Sequence, residues 1–281
     1  MPRPDPGAAT GLPELGLEHE LLEVAWTAAR AAGDLLMAGR SGSLVVSTKS
    51  TRTDVVTQMD TAAEDLVVST ILASRPDDGL LGEEGADRPG RTGVRWVVDP
   101  LDGTVNYLYG LPGWAVSVAA EVGGIAEVGV VDIPMYRETF VAVRGAGAVV
   151  VRDGVVQAPV PGSPPSLAQA LVATGFGYAR ERRAAQARSL AEVLPEVRDI
   201  RRAGAAAVDL CWAADGRVDC YYERGLNPWD LAAGLLVATE AGLAAGGPPG
   251  MPASGELVWL APQDLAEAFS ALLARAGAHL G

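Results

Sequence analysis

A strand-like apolar run that leads directly into two aspartates does most to restrict the fold of this chain. The run is Trp96–Val98, and Asp99–Thr104 follows it with the sequence Asp-Pro-Leu-Asp-Gly-Thr. A strand end is a rigid place from which carboxylates can point into an open crevice. Pro100 favours an extended backbone at Asp99, because the residue before a proline is sterically excluded from the helical region. This segment therefore predicts two carboxylates aimed at a cleft.

The groups that follow the carboxylates indicate chemistry on a phosphate. The N–H groups of Gly103 and Thr104 would bind an anion if a helix starts there. Carboxylates beside an anion site make chemical sense when metal ions neutralise both. Oxygen ligands with no His or Cys among them favour Mg²⁺ over zinc or copper. The segment therefore predicts metal-assisted phosphate chemistry.

Other acidic residues in the chain suit the same site. Glu83 and Glu84 lie between glycines after a short apolar stretch, Asp230 opens a helical pattern, and Asp54 precedes another. Taken singly, each has an ordinary structural explanation, since Asp-Gly pairs form turns and acids near a helix start favour its dipole. The joint pattern is more informative than any single segment.

Five blocks, in this order, resemble the inositol monophosphatase family of Mg²⁺-dependent, lithium-sensitive phosphatases. They are Thr53–Thr57, Gly82–Glu84, Asp99–Thr104, Gly204–Leu210 and Trp229–Gly234. The resemblance extends over roughly residues 17 to 242. It implies an α+β fold arranged as a five-layer α-β-α-β-α sandwich of the sugar-phosphatase type.

The resemblance also implies a set of metal ligands for two to three Mg²⁺ ions. Glu83, Asp99 and the Leu101 carbonyl would hold one ion, and Glu83 would also contact a third. Asp99, Asp102 and Asp230 would hold the second. A water molecule activated by the metal would be the nucleophile, without a phospho-enzyme intermediate.

Catalytic and substrate-binding roles follow from the same resemblance. The catalytic residues would be Glu83, Thr104 and Asp54, with Asp54 orienting the Thr104 hydroxyl that positions the water. The N–H groups of Gly103 and Thr104 would hold the phosphate, and the Ala206 N–H and the Glu223 carboxylate would contact hydroxyls. The substrate-binding set is therefore Asp102, Gly103, Thr104, Ala206 and Glu223.

The expected substrate is a small polyol phosphate monoester, and inositol 1-phosphate fits the sequence best. Histidinol phosphate, 3′-phosphoadenosine 5′-phosphate and fructose 1,6-bisphosphate stay open because the family's branches share the metal site. Two departures affect the substrate side: Ala205 replaces the family's frequent Ser or Thr, and residues 243–256 form a Gly/Pro-rich loop. A non-catalytic regulatory binding protein is the alternative of another class, and the family suggests a homodimer.

Composition limits the possible partners. The 281 residues are 49% hydrophobic and 20% charged, which is typical of a globular protein. The formal net charge of −13 argues against a nucleic acid or an anionic membrane held by bulk electrostatics. Two cysteines, no signal-peptide pattern and no apolar run of membrane-spanning length predict a cytoplasmic protein with small buried thiols.

The sequence argues against other hydrolytic mechanisms, because it lacks the residue patterns that they require. The two histidines, His19 and His279, lie near the ends of the chain, which argues against a Ser-His-Asp or Cys-His nucleophile. A covalent aspartyl-phosphate signature needs Asp two residues before Asp102, where this chain has Pro100. Arginines at 180, 182, 183, 198, 201 and 202 could bind phosphates of a larger substrate, although such runs usually form a solvated helix face.

The Pro/Gly/Ser-rich segment Ala158–Ser166 predicts a boundary between two lobes. The N-terminal α+β lobe spans 14–158 and carries most metal ligands, whereas the C-terminal α/β lobe spans 166–281 and carries Asp230 and the substrate contacts. Two β-rich runs joined at Gly123-Gly124 predict a hairpin. Helices are predicted over 18–37, 60–73, 182–194, 205–214, 228–241 and 262–276, and buried strands over 95–99, 170–174, 218–222 and 257–260.

Overall fold

The computed structural model describes residues 19–40, 46–48 and 55–280. The helices are α1 (Leu22–Gly39), α2 (Gln58–Ser74), α3 (Thr104–Leu108), α4 (Arg180–Val193), α5 (Ala206–Ala214), α6 (Pro228–Glu240) and α7 (Ala266–Arg275). The strands are β1 (Val46–Thr48), β2 (Val55–Thr57), β3 (Gly79–Gly82), β4 (Asp87–Arg88), β5 (Val94–Asp102), β6 (Ala115–Val122), β7 (Ile125–Ile133), β8 (Glu138–Val143), β9 (Gly147–Arg152), β10 (Val155–Gln157), β11 (Leu171–Thr174), β12 (Asp199–Arg201), β13 (Cys220–Glu223), β14 (Ala244–Gly246) and β15 (Val258–Ala261).

These elements stack in five layers, as the sequence predicts. Helices α1 and α2 cover one face of an eight-stranded sheet ordered β10-β9-β8-β7-β6-β5-β3-β4. Helices α5 and α6 fill the space between that sheet and a five-stranded sheet ordered β12-β11-β13-β15-β14. Helices α4 and α7 cover the outer face of the smaller sheet. The α-β-α-β-α sandwich is confirmed.

The central layer determines where the functional groups meet. Helix α6 packs on strands β5 to β9, and α5 packs beside α6. Phe140 of the larger sheet and Leu210 of α5 are fully buried in the same apolar cluster as Leu236 of α6. Burying each such side chain contributes about 1.5–3 kcal/mol. The N-terminal ends of α5 and α6 are therefore held firmly beside the end of β5.

Strand β5 differs from the prediction at its carboxyl end. It does not stop at Asp99 but continues to Asp102, with a register shift against β6 between Asp99 and Asp102. Proline has no N–H to donate to a neighbouring strand, so Pro100 is tolerated where the ladder is irregular. The irregularity allows both aspartates to belong to one strand.

Most other predicted elements are confirmed with shifted ends. The hairpin at Gly123-Gly124 is confirmed, with Val122 paired to Ile125. The first helix begins at Leu22 instead of residue 18, and the last begins with a 3₁₀ turn at Gln263–Leu265. Strands β3, β4, β12 and β14 escaped prediction because segments of two to four residues carry too little periodicity.

The division into two lobes stays a prediction. Sheet membership does change across the predicted linker, since β10 ends at Gln157 and β11 begins at Leu171. However, the helix Pro228–Glu240, from the second half of the chain, packs on the sheet formed by the first half. The two halves therefore share a core.

The two cysteines occupy separate apolar clusters. Cys211 of α5 lies in the central cluster, and Cys220 of β13 lies in the cluster under α4 and α7. Both are buried and free. Burial raises the pKa of Cys220 to about 12 and raises that of Cys211 well above its usual value. The prediction of small buried thiols is confirmed. None of the described helices is both long enough and apolar enough to cross a bilayer.

Candidate active site

One pocket of about 530 Å³ brings together the predicted site residues of the described chain. It opens where β5 ends and where α3, α5 and α6 begin. The predicted residues that line it are Glu83, Asp99, Leu101, Asp102, Gly103, Thr104, Ala206, Glu223 and Asp230. Asp54 lies outside the described residues, so its predicted role stays a prediction.

Asp99, Asp102 and Thr104 form the buried base of the pocket, which we call the pocket floor. Asp99 is 1% exposed, and one of its carboxylate oxygens accepts a hydrogen bond from the Leu101 N–H at 3.0 Å. Asp102 accepts one from the Ala207 N–H at 2.6 Å. Because Ala207 belongs to the first turn of α5, this bond connects the end of β5 to the central helical layer. The floor is thus fixed on two sides.

The floor carboxylates lie among other acids. Burial raises the pKa of Asp99 well above its usual value, and repulsion from Glu83, Asp102 and Asp230 raises it further. The pKa of Asp102 is raised in the same direction, by burial and then by repulsion from Asp230. A divalent cation would offset both effects, because it stabilises the ionised carboxylates that low dielectric and like charge disfavour.

The donor set fits a hard cation, although the side chains are not gathered around one point. Within the described chain, no three Asp, Glu, His or Cys side chains already form a group that could hold a metal ion. Asp230 illustrates why: its carboxylate accepts the Asn227 N–H at 2.6 Å, as the capping box of α6. Asp99 and Glu83 do lie close together, because a hydrogen bond between their side chains contributes to the raised pKa of Asp99.

Thr104 is held by a partner that sequence reasoning missed. Its hydroxyl donates to Asp60 at 2.9 Å, and the Leu101 carbonyl lies 3.2 Å from the same hydroxyl oxygen. The other carboxylate oxygen of Asp60 accepts the N–H and hydroxyl of Thr57, which is the N-cap of α2. The signal available in the sequence was the capping pattern Thr57-x-x-Asp60.

Gly103 sets the start of α3 beside this hydroxyl. Its φ of +90° is in the left-handed region, which glycine adopts without a steric penalty. A side chain there would also meet the Gly113 carbonyl oxygen at 2.9 Å and the Ala205 Cβ at 3.0 Å. The turn from the floor into α3 therefore requires glycine.

Glu64 of α2 holds the loop that carries Glu83, and sequence reasoning missed it as well. Its two carboxylate oxygens accept the N–H groups of Glu84 at 2.8 Å and of Ala86 at 2.9 Å. Gly82 packs so close to this carboxylate that a Cβ would overlap it. Glu64 is thus a positioning residue for Glu83.

The side of the pocket predicted to face substrate hydroxyls carries Ala206 and Glu223. Glu223 ends β13, and one of its oxygens accepts the Tyr221 hydroxyl at 2.8 Å. Burial raises the pKa of Glu223 to about 7, against the opposing effect of the Tyr221 hydrogen bond. Gly175 contacts the same carboxylate, and a side chain there would displace it. Glu223 therefore titrates near neutral pH.

Two arginines of the predicted basic run also line the pocket, and we call this pair the arginine wall. Arg182 comes from α4, and Arg202 from the segment that joins β12 to α5. Arg224 also lines the pocket, whereas the other arginines of the predicted basic run do not. Two of the six arginines of that run are therefore both exposed and part of the pocket lining.

Comparison with known proteins identifies the family to which this arrangement belongs. A model of the inositol monophosphatase family matches residues 17–277. An inositol-1-monophosphatase of Mycobacterium leprae is 44% identical over 244 residues, which is 84% of each chain. A Vibrio cholerae protein named Nus factor SuhB is 40% identical over 227 residues, 80% of this chain and 84% of that one. The crystal structure of extragenic suppressor protein suhB from Bartonella henselae superposes with a TM-score of 0.82 at 33% identity, covering 89% of this chain and 96% of that one.

Proposed function

The chain belongs to the inositol monophosphatase family of phosphatases, and from this premise we propose that it hydrolyses a small polyol phosphate monoester with the help of Mg²⁺. Inositol 1-phosphate is the proposed substrate, with inositol and phosphate as products. The observation that carries the proposal is one pocket lined by acids from four chain segments and by a threonine whose hydroxyl donates to Asp60.

The acids of the pocket would hold two to three Mg²⁺ ions. Glu83, Asp99 and the Leu101 carbonyl would serve one ion, and Glu83 also a third; Asp99, Asp102 and Asp230 would serve the second. Bound Mg²⁺ supplies Lewis-acid chemistry that polarises phosphoryl oxygens and lowers the pKa of water. The family is generally metal-dependent; Mg²⁺ and the ion count are our proposal, which rests on the all-oxygen donor set.

Thr104 would orient the attacking water. Its hydroxyl donates to Asp60, so its oxygen can accept a hydrogen bond from a water molecule and fix where that water points. The N–H groups of Gly103 and Thr104 would bind the phosphate at the turn into α3. On the opposite side, the Ala206 N–H and the ionised Glu223 carboxylate would orient the hydroxyls of the polyol.

Histidinol phosphate, 3′-phosphoadenosine 5′-phosphate and fructose 1,6-bisphosphate remain alternative substrates within the same chemistry. Relatives named inositol-1-monophosphatase favour the inositol ester. Cytoplasmic location, lithium sensitivity and a homodimer are further proposals carried over from the family resemblance.

The test is phosphate release from inositol 1-phosphate with Mg²⁺, with a chelator, and with Asp102→Asn. Asp264→Asn is the matched control, because Asp264 is exposed and does not line the pocket. Mg²⁺-dependent release that disappears in Asp102→Asn but persists in Asp264→Asn supports the proposal. Release unaffected by chelator or by Asp102→Asn would contradict it.

A second candidate function is regulatory binding to another protein. It is favoured by relatives named Nus factor SuhB, at 40% identity for the Vibrio cholerae protein. In that case Asp102→Asn would lose turnover and keep partner binding. A pull-down with both the unmodified chain and Asp102→Asn separates the two functions.

A further inference from the structure

The pocket lining carries both signs of charge. Acids surround the floor, and Arg182 and Arg202 line the same pocket. Metal ions bound among the acids would already neutralise the phosphate that is cleaved. The arginine wall is therefore not needed for that phosphate.

Neither guanidinium has an ion-pair or hydrogen-bonding partner among the described residues. Across the described residues, Arg182 and Arg202 make no ion pair and no side-chain hydrogen bond, whereas Arg201 pairs with Asp199 at 2.6 Å. The charge of Arg202 does lower the pKa of Glu223 and of Asp209, although burial outweighs it at both. Arg202 thus lies near the predicted hydroxyl contact without being neutralised by it.

The local backbone makes room for both side chains. The Arg182 chain passes over Gly177, where a Cβ would lie 2.5 Å from its Cδ, and its guanidinium lies against Gly225. The Arg202 guanidinium lies against Gly204, with Cζ 3.2 Å from the Cβ position. Gly225 follows Glu223 by two residues. Arg182 therefore reaches the pocket against the segment that follows Glu223.

We propose that the arginine wall binds a second anionic group of the substrate, a phosphate or a carboxylate carried on the polyol away from the ester that is cleaved. A guanidinium presents a planar fork of donors that matches both groups and stays charged at all relevant pH values. A neutral polyol would leave both arginines facing only water. The proposal rests on the proposed phosphatase function and extends it to a substrate class.

The test compares substrates that differ in one anionic group. Inositol 1-phosphate is compared with inositol bisphosphates phosphorylated also at carbon 3, 4 or 5, and glycerol 3-phosphate with 3-phosphoglycerate. We expect at least about a tenfold lower KM for the doubly anionic member, because hydrogen bonds to charged groups contribute that much. A gain in the first pair alone identifies a phosphate, and a gain in the second identifies a carboxylate. Equal KM values in both pairs would overturn the proposal.

Two pairs of neighbouring arginines supply variants and controls. The preference should disappear in the double variant Arg182→Gln/Arg202→Gln and persist in Arg183→Gln/Arg201→Gln, whose residues do not line the pocket. A preference that survives the first double variant, or that both abolish equally, would contradict the proposal. All four arginines are exposed, so unchanged melting temperatures should confirm that the variants fold.

A binding experiment separates failure of this proposal from failure of the proposed function. If no substrate is turned over, the phosphatase proposal fails. Calorimetric titration with inositol 1,4-bisphosphate and with inositol 1-phosphate in Mg²⁺ then tests the arginine-wall proposal by itself. At least about tenfold tighter binding of the bisphosphate, lost in Arg182→Gln/Arg202→Gln, supports the arginine wall. Equal affinities would overturn it.

Discussion

The pocket floor and the arginine wall are built in different ways. Each floor residue is buried and hydrogen-bonded to a backbone N–H or to another side chain. Arg182 and Arg202 are exposed, come from a helix and a connecting segment, and make no ion pair or side-chain hydrogen bond within the described chain. The difference indicates that the groups we propose for the reaction are held by the fold, whereas the groups we propose for choosing the substrate can be substituted without disturbing it.

The largest effect is expected at the floor, from Asp102→Asn. Loss of the charge should lower kcat/KM at least about 100-fold, since losing even an outer partner of a metal ligand costs about 10- to 100-fold. The asparagine oxygen can still accept the Ala207 N–H, so the fold should persist. In chelator, relief of repulsion from Asp230 should raise the melting temperature.

Lower activity together with a higher melting temperature in Asp102→Asn would show that the pocket floor does not depend on the Asp102 charge for its stability. Steady-state kinetics and thermal melting of the unmodified chain and of Asp102→Asn are the two measurements. An activity loss accompanied by a lower melting temperature in chelator would mean that the floor is held by the carboxylate charge itself, contrary to our interpretation.

A somewhat smaller effect is expected from Thr104→Val. The change removes the hydroxyl that donates to Asp60 and keeps the side-chain shape, so kcat should fall about 10- to 100-fold while KM changes little. Thr104→Ser retains the hydroxyl and should keep most of the activity. Equal losses in the two variants would show that the methyl group, not the hydroxyl, is what matters.

Glu64→Gln should have a moderate effect, because it acts through the Glu83 loop. An amide can accept only one of the two N–H groups that the carboxylate accepts from Glu84 and Ala86. We expect activity to fall about tenfold, with much of the loss recovered at high Mg²⁺. The neighbouring exposed Asp65→Asn is the control. A loss that no Mg²⁺ concentration reduces would contradict a positioning role.

The smallest effect is a pH dependence from Glu223, whose pKa is raised to about 7. A protonated carboxyl is a poorer acceptor, so KM should rise a few-fold between about pH 8 and about pH 6, and not in Glu223→Gln. The folded chain also binds this proton more tightly than the unfolded chain. The contribution to stability is therefore largest at low pH and is lost as pH rises through about 7.

Urea unfolding in the presence of a chelator tests whether the contribution of Glu223 to stability falls as pH rises. The free energy of unfolding of the unmodified chain, relative to Glu223→Gln, should decrease from about pH 5 to about pH 8. A relative stability that increases with pH would mean that Glu223 has a lowered pKa in the folded chain.

Local patterns in the sequence predicted much of the fold and most of the pocket. The Gly123-Gly124 hairpin needs only adjacent alternating runs and a turn, and the helix from Pro228 needs only its first-turn proline and apolar spacing. The nine described site residues meet because they sit at element ends that the resemblance already identified.

The missed residues all depend on contacts between distant segments. Asp60 lies 44 residues before Thr104, and Glu64 lies 20 residues before Glu84. The sequence analysis names Arg182 and Arg202 only as possible phosphate contacts within a run that usually forms a solvated helix face, and only the folding of α4 and of the β12–α5 segment brings them to the pocket. No periodicity encodes such distances, because packing of layers sets them.

Cys211 and Cys220 are buried in different apolar clusters. The reactivity of each thiol therefore reports local unfolding of its own part of the fold. A thiol with a raised pKa reacts with alkylating or disulfide reagents only when its surroundings unfold and release the thiolate. Labelling rates at the two positions would then measure the opening of the layer behind the floor separately from that of the outermost layer. A ligand that binds the pocket should slow labelling at Cys211 more than at Cys220.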